Sequence, residues 1–257
     1  MFAILVVGLG LFGLAIGSFL NVVIYRVPRG ESIVAPRSRC PSCGTALKAT
    51  DNIPVVSYVV LRGRCRSCRA SISLQYPVVE LLTAGLFAGT AARFGFAWSL
   101  PAYLVLAAGL VALAAIDLEK NVLPKRIVYF VTAAVGAFLV FASAETGDWR
   151  RLVIAACSAA AWTGLFLAIN AVSPRWLGFG DVRFVGVLGL SLGWLGVGYV
   201  LLGFYLAALI GGAVGIGLIV AKRVGLATRV PFGPFLALGA EIAIFAGSSL
   251  LRPFHGV

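Results

Sequence analysis

Leu100-Pro-Ala-Tyr-Leu-Val-Leu-Ala-Ala-Gly-Leu-Val-Ala-Leu-Ala-Ala-Ile-Asp117 carries no charged residue until its last position. A helix of about 20 apolar residues crosses the hydrocarbon of a bilayer. Inside a bilayer every backbone polar group must be satisfied within the protein, so such a run reads as a transmembrane helix. The same texture recurs on both sides of it, at roughly 4–25, 77–94, 126–143, 152–171, 183–196, 197–221 and 232–251. Counting 100–117, this predicts an all-α, polytopic membrane protein with about eight transmembrane helices. The span at 183–196 is the shortest, with its turn expected at Gly193–Gly198.

The composition agrees. Of 257 residues, 61% are hydrophobic and 12% charged, against about 45–50% and about 25% in soluble domains. The formal charge of +12 would suggest nucleic acid in a soluble protein. Here the basic residues sit in short loops between apolar runs, so we read lipid bilayer and no nucleic acid as the partner. Eight spans put both termini on one side. All Lys and Arg except Arg93, Arg150, Arg151 and Arg252 then fall on the opposite side, which the positive-inside rule makes cytoplasmic. Both termini are therefore expected outside. Met1–Tyr25 lacks a basic leader region and runs directly into Arg26, so it reads as a retained first helix. The chain divides into a first helix (1–25), a hydrophilic cytoplasmic insert (26–76) and a multi-helix membrane domain (77–257). No internal repeat is evident.

The insert holds Cys40-Pro-Ser-Cys43 and Cys65-Arg-Ser-Cys68. Two Cys-x-x-Cys pairs about twenty residues apart suit a tetrahedral four-thiolate zinc site, with Gly44 and Gly63 easing the turns. A reducing cytoplasm argues against disulfides; free thiols are the other alternative. Four protein ligands leave no place for water, so zinc here is expected to be structural. Cys157, within an apolar run, reads as a packing residue.

The chain has only nine Asp and Glu residues. Carboxylates in or at the edge of a membrane are costly and tend to be functional. Asp117 closes one span and Asp181 opens another, in Gly178-Phe-Gly180-Asp181. The topology puts both at cytoplasmic helix ends, at similar depth. Two close carboxyls do not readily both ionise. The ionised one can take a proton from water while the protonated one polarises a peptide carbonyl. Gly178 and Gly180 would let backbone approach an extended peptide. The plainer alternative is that each aspartate is an interfacial residue or helix cap. Glu31, Asp51, Glu119, Glu145 and Asp148 read as solvated loop charges, while Glu80 and Glu241 have no evident role.

These residues resemble the prepilin peptidases, or type IV leader peptidases. The resemblance runs from Gly17-Ser-Phe-Leu-Asn-Val-Val-Ile-Tyr-Arg26 through the first cysteine pair and Asp51-Asn-Ile-Pro54. It continues through Leu61-Arg-Gly-Arg-Cys65, Tyr76-Pro-Val-Val-Glu80, Ile116-Asp117-Leu-Glu with Leu123-Pro124, Gly178-Phe-Gly-Asp181 and Pro231-Phe-Gly-Pro-Phe-Leu236. It implies a bacterial inner-membrane endopeptidase that removes the basic leader of prepilins and pseudopilins at the cytoplasmic face. Asp117 and Asp181 match the family's catalytic aspartates. Members with a cysteine module commonly also methylate the new N-terminus with S-adenosylmethionine, so both activities are expected. No motif identifies a methyl-donor site. Lys125 stands where the family often has Asp, and Arg183 where it often has Lys. Two other classes fit single features: a transporter or proton relay would explain edge carboxylates, and a non-catalytic scaffold would explain the zinc module.

Overall fold

In a chain this apolar, backbone hydrogen bonds are met within helices, and glycine and alanine decide where helices can touch. Lipid is as apolar as leucine, so close backbone approach supplies much of the attraction between spans. The computed structural model describes residues 1–172, 178–222 and 230–251. Arg175, Arg223, Arg229 and Arg252, used above to orient the chain, lie outside the described residues. Among the described residues no β-strand forms, only isolated bridges at Arg39–Ala46 and Arg64–Ser71.

The helices are α1 (Phe2–Arg26), α2 (Val56–Val60), α3 (Gln75–Phe94), α4 (Leu100–Lys120), α5 (Lys125–Thr146), α6 (Trp149–Val172), α7 (Phe179–Leu195), α8 (Val197–Val220) and α9 (Gly233–Leu250). Apart from the short α2, each lies where the sequence predicts a span. By length and composition, α1, α4, α5, α6, α8 and α9 can cross a membrane, which makes this a multi-pass membrane protein. α7 has only 17 residues, and α3 interrupts its apolar run with Glu80, Thr83, Thr90 and Arg93.

The chain forms two compact units, Met1–Phe96 and Ala97–Val257. In the first, α1 and α3 run antiparallel. A Cβ on Gly13 would lie 2.8 Å from Ala84 Cα, and one on Gly17 would lie 2.6 Å from Glu80 Cα. Only glycine permits that approach. The hydrophilic segment between α1 and α3 carries the four cysteines.

In the second unit α4 is the most enclosed of the span-length helices. Gly109 on α4 faces Val131 of α5. α6 and α7 run antiparallel, with Gly186, Gly189 and Gly193 against Thr163, Ala159 and Ala155. α8 and α9 meet the same way, Gly203 facing Gly239 and Tyr199 facing Gly247. A buried hydrogen bond from the Tyr103 hydroxyl to the Ser191 carbonyl (2.8 Å) ties α4 to α7. Cys157 corrects its reading as a packing residue: it is exposed on α6. Glu241 lies in α9 with Oε1 buried and without a hydrogen-bond partner among the described residues.

Candidate active site

Three chain segments converge in the second unit. Asp117 is buried in the last turn of α4. The helix stops four residues later because Asn121 adopts a left-handed conformation (φ 53°) and returns its N–H to the Asp117 carbonyl at 2.8 Å. Pro124 then caps α5. The turn between presents buried Leu123.

α7 begins after Gly178, and Asp181 is its third residue. Asp181 Oδ2 reaches back to accept the Gly178 N–H at 3.2 Å. This is half of a capping box, since Gly178 has no side chain to return the bond. α9 begins at Gly233, whose N–H donates to Asp117 Oδ2 at 3.0 Å. Leu123 locks the assembly. A Cβ on Gly180 would lie 3.1 Å from Leu123 Cβ, and one on Gly233 would lie 3.2 Å from Leu123 Cδ2. The starts of α7 and α9 are thus held against the end of α4, which brings Asp117 and Asp181 into one cluster. Arg183 lies over the Phe179 ring at 4.5 Å and near Tyr129 at 5.8 Å, its Nε buried and without a hydrogen-bond partner among the described residues.

Of the residues picked from sequence, Asp117, Asp181, Gly178 and Gly180 belong to this cluster. Gly233 and Leu123 do also, although no role was read for them. Their signals were present: Gly233 sits in Pro231-Phe-Gly-Pro and Leu123 precedes a helix-starting proline. What sequence withholds is that these turns meet.

The cysteines form a second centre, in the first unit. The sulfurs of Cys40, Cys43, Cys65 and Cys68 all lie within 4.8 Å of one another. Cys40 and Cys68 sulfurs are 3.8 Å apart. A tetrahedron with Zn–S bonds of about 2.3 Å has edges of about 3.8 Å, so the thiols are spaced for a metal ion. None of the four is in a disulfide.

The two pairs are built alike. Cys40 N–H donates to Thr45 and Gly44 N–H to Cys40; Cys65 N–H donates to Ala70 and Arg69 N–H to Cys65. Each knuckle needs a left-handed residue, Gly44 (φ 71°) in one and Arg69 (φ 61°) in the other. The repeat is one of backbone geometry. Thr45, through its side chain and then its backbone, brings the Cys43 thiol down to about 6. That favours the thiolate a metal needs. Asp51 corrects its reading as a loop charge: it pairs with Arg66 Nη2 at 2.7 Å, its own side chain only 7% exposed.

Comparison with known proteins matches residues 11–94 to the bacterial peptidase A24 N-terminal domain and residues 104–216 to the type IV leader peptidase family. A protein of Aeromonas hydrophila named prepilin leader peptidase/N-methyltransferase is 36% identical over 94% of this chain and 91% of its own length. The chain belongs to the type IV leader peptidase family. Proteins of the same name from Burkholderia pseudomallei and Pseudomonas aeruginosa are 36% and 32% identical, each over 95% of this chain and over 84% and 91% of their own lengths. No solved structure matches. In this leader peptidase the two family regions correspond to the two compact units, one holding the cysteine centre and the other the aspartates. Membership also displaces the transporter and scaffold readings.

Proposed function

We propose that this chain is an aspartyl endopeptidase of the bacterial inner membrane. It removes the leader of type IV prepilins or pseudopilins at the cytoplasmic face and methylates the new N-terminus with S-adenosylmethionine. The observation that carries the peptidase half is the convergence of Asp117, Asp181 and the Gly233 N–H around Leu123. The names of the relatives support both halves.

In this reading Asp117 and Asp181 share one proton. The ionised carboxyl takes a proton from the attacking water, and the protonated one donates to the scissile carbonyl oxygen. The resulting tetrahedral carbon collapses as a proton passes to the departing amine. The Gly233 N–H fixes one carboxylate oxygen and so the direction in which Asp117 presents the other. Gly178 and Gly180 let Asp181 and Leu123 close in on the start of α7, which sets the position of the Asp181 carboxyl.

The four cysteines hold zinc, which ties the two knuckles together and has no open position for chemistry. The 26–76 insert is cytoplasmic in this reading, the termini lie outside, and α3 and α7 complete eight spans. The positive-inside distribution supports that orientation.

The test is cleavage of a prepilin-type substrate in membranes by wild type, Asp117→Asn and Asp181→Asn. Asparagine keeps the size and a hydrogen-bonding oxygen but not the acid. Both variants are expected to be folded and to lose cleavage. Near-wild-type cleavage by either one removes that aspartate from the mechanism.

A further inference from the structure

The hydrophilic segment between α1 and α3 holds one long apolar run, Ile53-Pro-Val-Val-Ser-Tyr-Val-Val-Leu61, in which Ser57 and Tyr58 are the only polar side chains. Hydrolysis at Asp117 and Asp181, in the second unit, gives this run no task. It forms α2 and turns its apolar side outward. Ser57, Tyr58 and Leu61 face a cavity beneath the cysteine knuckles. Ile53, Val56, Val59 and Val60 are exposed, the last two by 66% and 69%. Val56, Val59 and Val60 share one helix face, and such a patch in water would be a liability.

Depth along α1 accounts for it. Arg26 is the first basic residue of the chain. Beside it Tyr25 is exposed, with the Arg29 guanidinium 3.8 Å over its ring, an aromatic and a cation of the kind that mark a membrane surface. Gly17 lies nine residues before Arg26, about 13 Å deeper at 1.5 Å per residue. Glu80 of α3 is level with Gly17, since a Cβ on Gly17 would lie 2.6 Å from its Cα. Glu80 Oε2 accepts the Val55 N–H at 2.7 Å. A glutamate side chain extends about 5 Å from its Cα. Even pointed straight at the surface, it leaves Val55 at least about 5 Å inside the level of Arg26.

A second contact agrees. A cavity of about 400 Å³ has Phe19, Val22 and Arg26 of α1 on one side and Leu47, Ala49 and Asn52 on the other. The chain leading into Ile53 therefore lies beside the last turns of α1, not beyond its end.

Backbone at that depth must find its partners within the protein. Pro54 has no N–H. Val55 donates to Glu80, Val56 to the Pro54 carbonyl at 2.6 Å, Ser57 to Ile53, Val59 to Val55 and Leu61 to Ser57. The Ser57 hydroxyl also turns inward, to the Ile53 carbonyl at 2.8 Å. Val55 is held at φ 61°, ψ −47°, a γ-turn of the rare, strained hand, and the bond to Glu80 keeps its N–H satisfied there. Past α2 the chain continues into Arg62 and Arg64, both exposed, which suit lipid phosphates at the surface.

We propose that residues 53–60 are a re-entrant element, inserted into the leaflet that surrounds the end of α1. Its partner is phospholipid acyl chains, met by the valine face, and Glu80 is the latch that closes its backbone. The inference rests on α1 as a span and not on which side is cytoplasmic. The unit carrying the four cysteines is thereby moored in the bilayer by α2 as well as by α1 and α3.

The experiment uses the unmodified full chain in phospholipid vesicles containing a trace of phosphatidylcholine with a diazirine in the upper half of one acyl chain. After irradiation, tryptic peptides are mapped by mass spectrometry. The element falls within one peptide, residues 49–62, and residues 127–150 of α5 give an internal positive control. Acyl-chain adducts are expected on both, with none on 49–62 from a water-soluble diazirine. Label in 127–150 without label in 49–62, or labelling of 49–62 by the water-soluble reagent, overturns the insertion. A diazirine amino acid at position 59 separates the occupants. Lipid adducts are expected, whereas cross-links to a second chain or to a prepilin-type substrate in their place overturn the assignment to lipid. Glu80→Ala should speed amide hydrogen exchange in 49–62, while Glu80→Gln, which keeps an acceptor oxygen, should not. Equal exchange in wild type and Glu80→Ala removes Glu80 as the latch.

Discussion

Gly233→Ala adds one methyl group at the first residue of α9, beside Asp117. The new Cβ would stand 2.7 Å from Asp117 Oδ2 and 3.2 Å from Leu123 Cδ2. Ordinary contact begins at 3.4 Å, so the carboxylate or the helix end must yield by about 0.7 Å. Added to the present 3.0 Å separation, that shift takes the Gly233 N–H to Asp117 Oδ2 hydrogen bond beyond useful length. A hydrogen bond to a charged group is worth about 1.5–3 kcal/mol, or roughly 10- to 100-fold in rate if the geometry matters at the transition state. The same lost bond and the crowding against Leu123 should lower folding stability as well, by about 1–3 kcal/mol. Leader cleavage in nanodiscs, resolved into kcat and KM and paired with a melting curve, is the assay. The expected result is a folded enzyme with a lower Tm and an almost unchanged KM, and with kcat reduced by about 10- to 100-fold at a temperature well below that Tm. Gly212→Ala, where an added Cβ meets nothing within 4 Å, should match wild type. A Gly233→Ala enzyme with wild-type kcat would refute the idea that this N–H aims Asp117.

Three further expectations concern the first unit. Gly17→Ala would set a methyl 2.6 Å from the Glu80 Cα; backbone cannot rotate away, so a loss of about 1–3 kcal/mol and a lower Tm are expected, while Gly8→Ala, with nothing within 4 Å, should be neutral. Metal analysis should find one ion per chain, and strong chelation should expose Cys40, Cys43, Cys65 and Cys68 to alkylation and the α1–α3 segment to protease. Equal alkylation of these thiols before and after chelation would count against a metal centre. Arg69→Gly places the residue of the first knuckle into the second, relieving a φ of 61° that costs about 1–2 kcal/mol outside glycine. The metal-loaded unit should melt higher, and an unchanged or lower Tm would show that the turn is not strained.

The helices were legible because a spanning helix needs length and uniform apolarity, which hydropathy reports directly. Asp117 and Asp181 were legible because charge is rare in such a chain. Their environment was not. The bond from Gly233 to Asp117 joins residues 116 apart in sequence, and nothing in hydropathy says which helix ends meet. The partnership of α1 with α3 depends on Gly13 and Gly17 facing Ala84 and Glu80, one interface among many that a glycine-rich chain could offer. The paired knuckles escaped for another reason. Beyond Ser-Cys they share almost no side chains, and Arg69 stands where its counterpart is glycine, so the repeat exists only in hydrogen bonds. Asp51 passed for a loop charge because its partner, Arg66, lies 15 residues away across a fold that the cysteines create.

The brevity of α7 reaches beyond packing. Its 17 residues extend about 26 Å at 1.5 Å per residue, short of the roughly 30 Å of hydrocarbon in a typical bilayer. On the eight-span reading proposed above, the bilayer beside the end of α7 must thin, or water must follow that end inward. Because Asp181 sits at that end, the dimple would bring solvent to a peptide bond lying just below the nominal membrane surface, with no need to pull the substrate's apolar helix outward. Bilayer thickness then becomes a variable of the reaction: lipids with longer acyl chains should slow hydrolysis without altering a single residue.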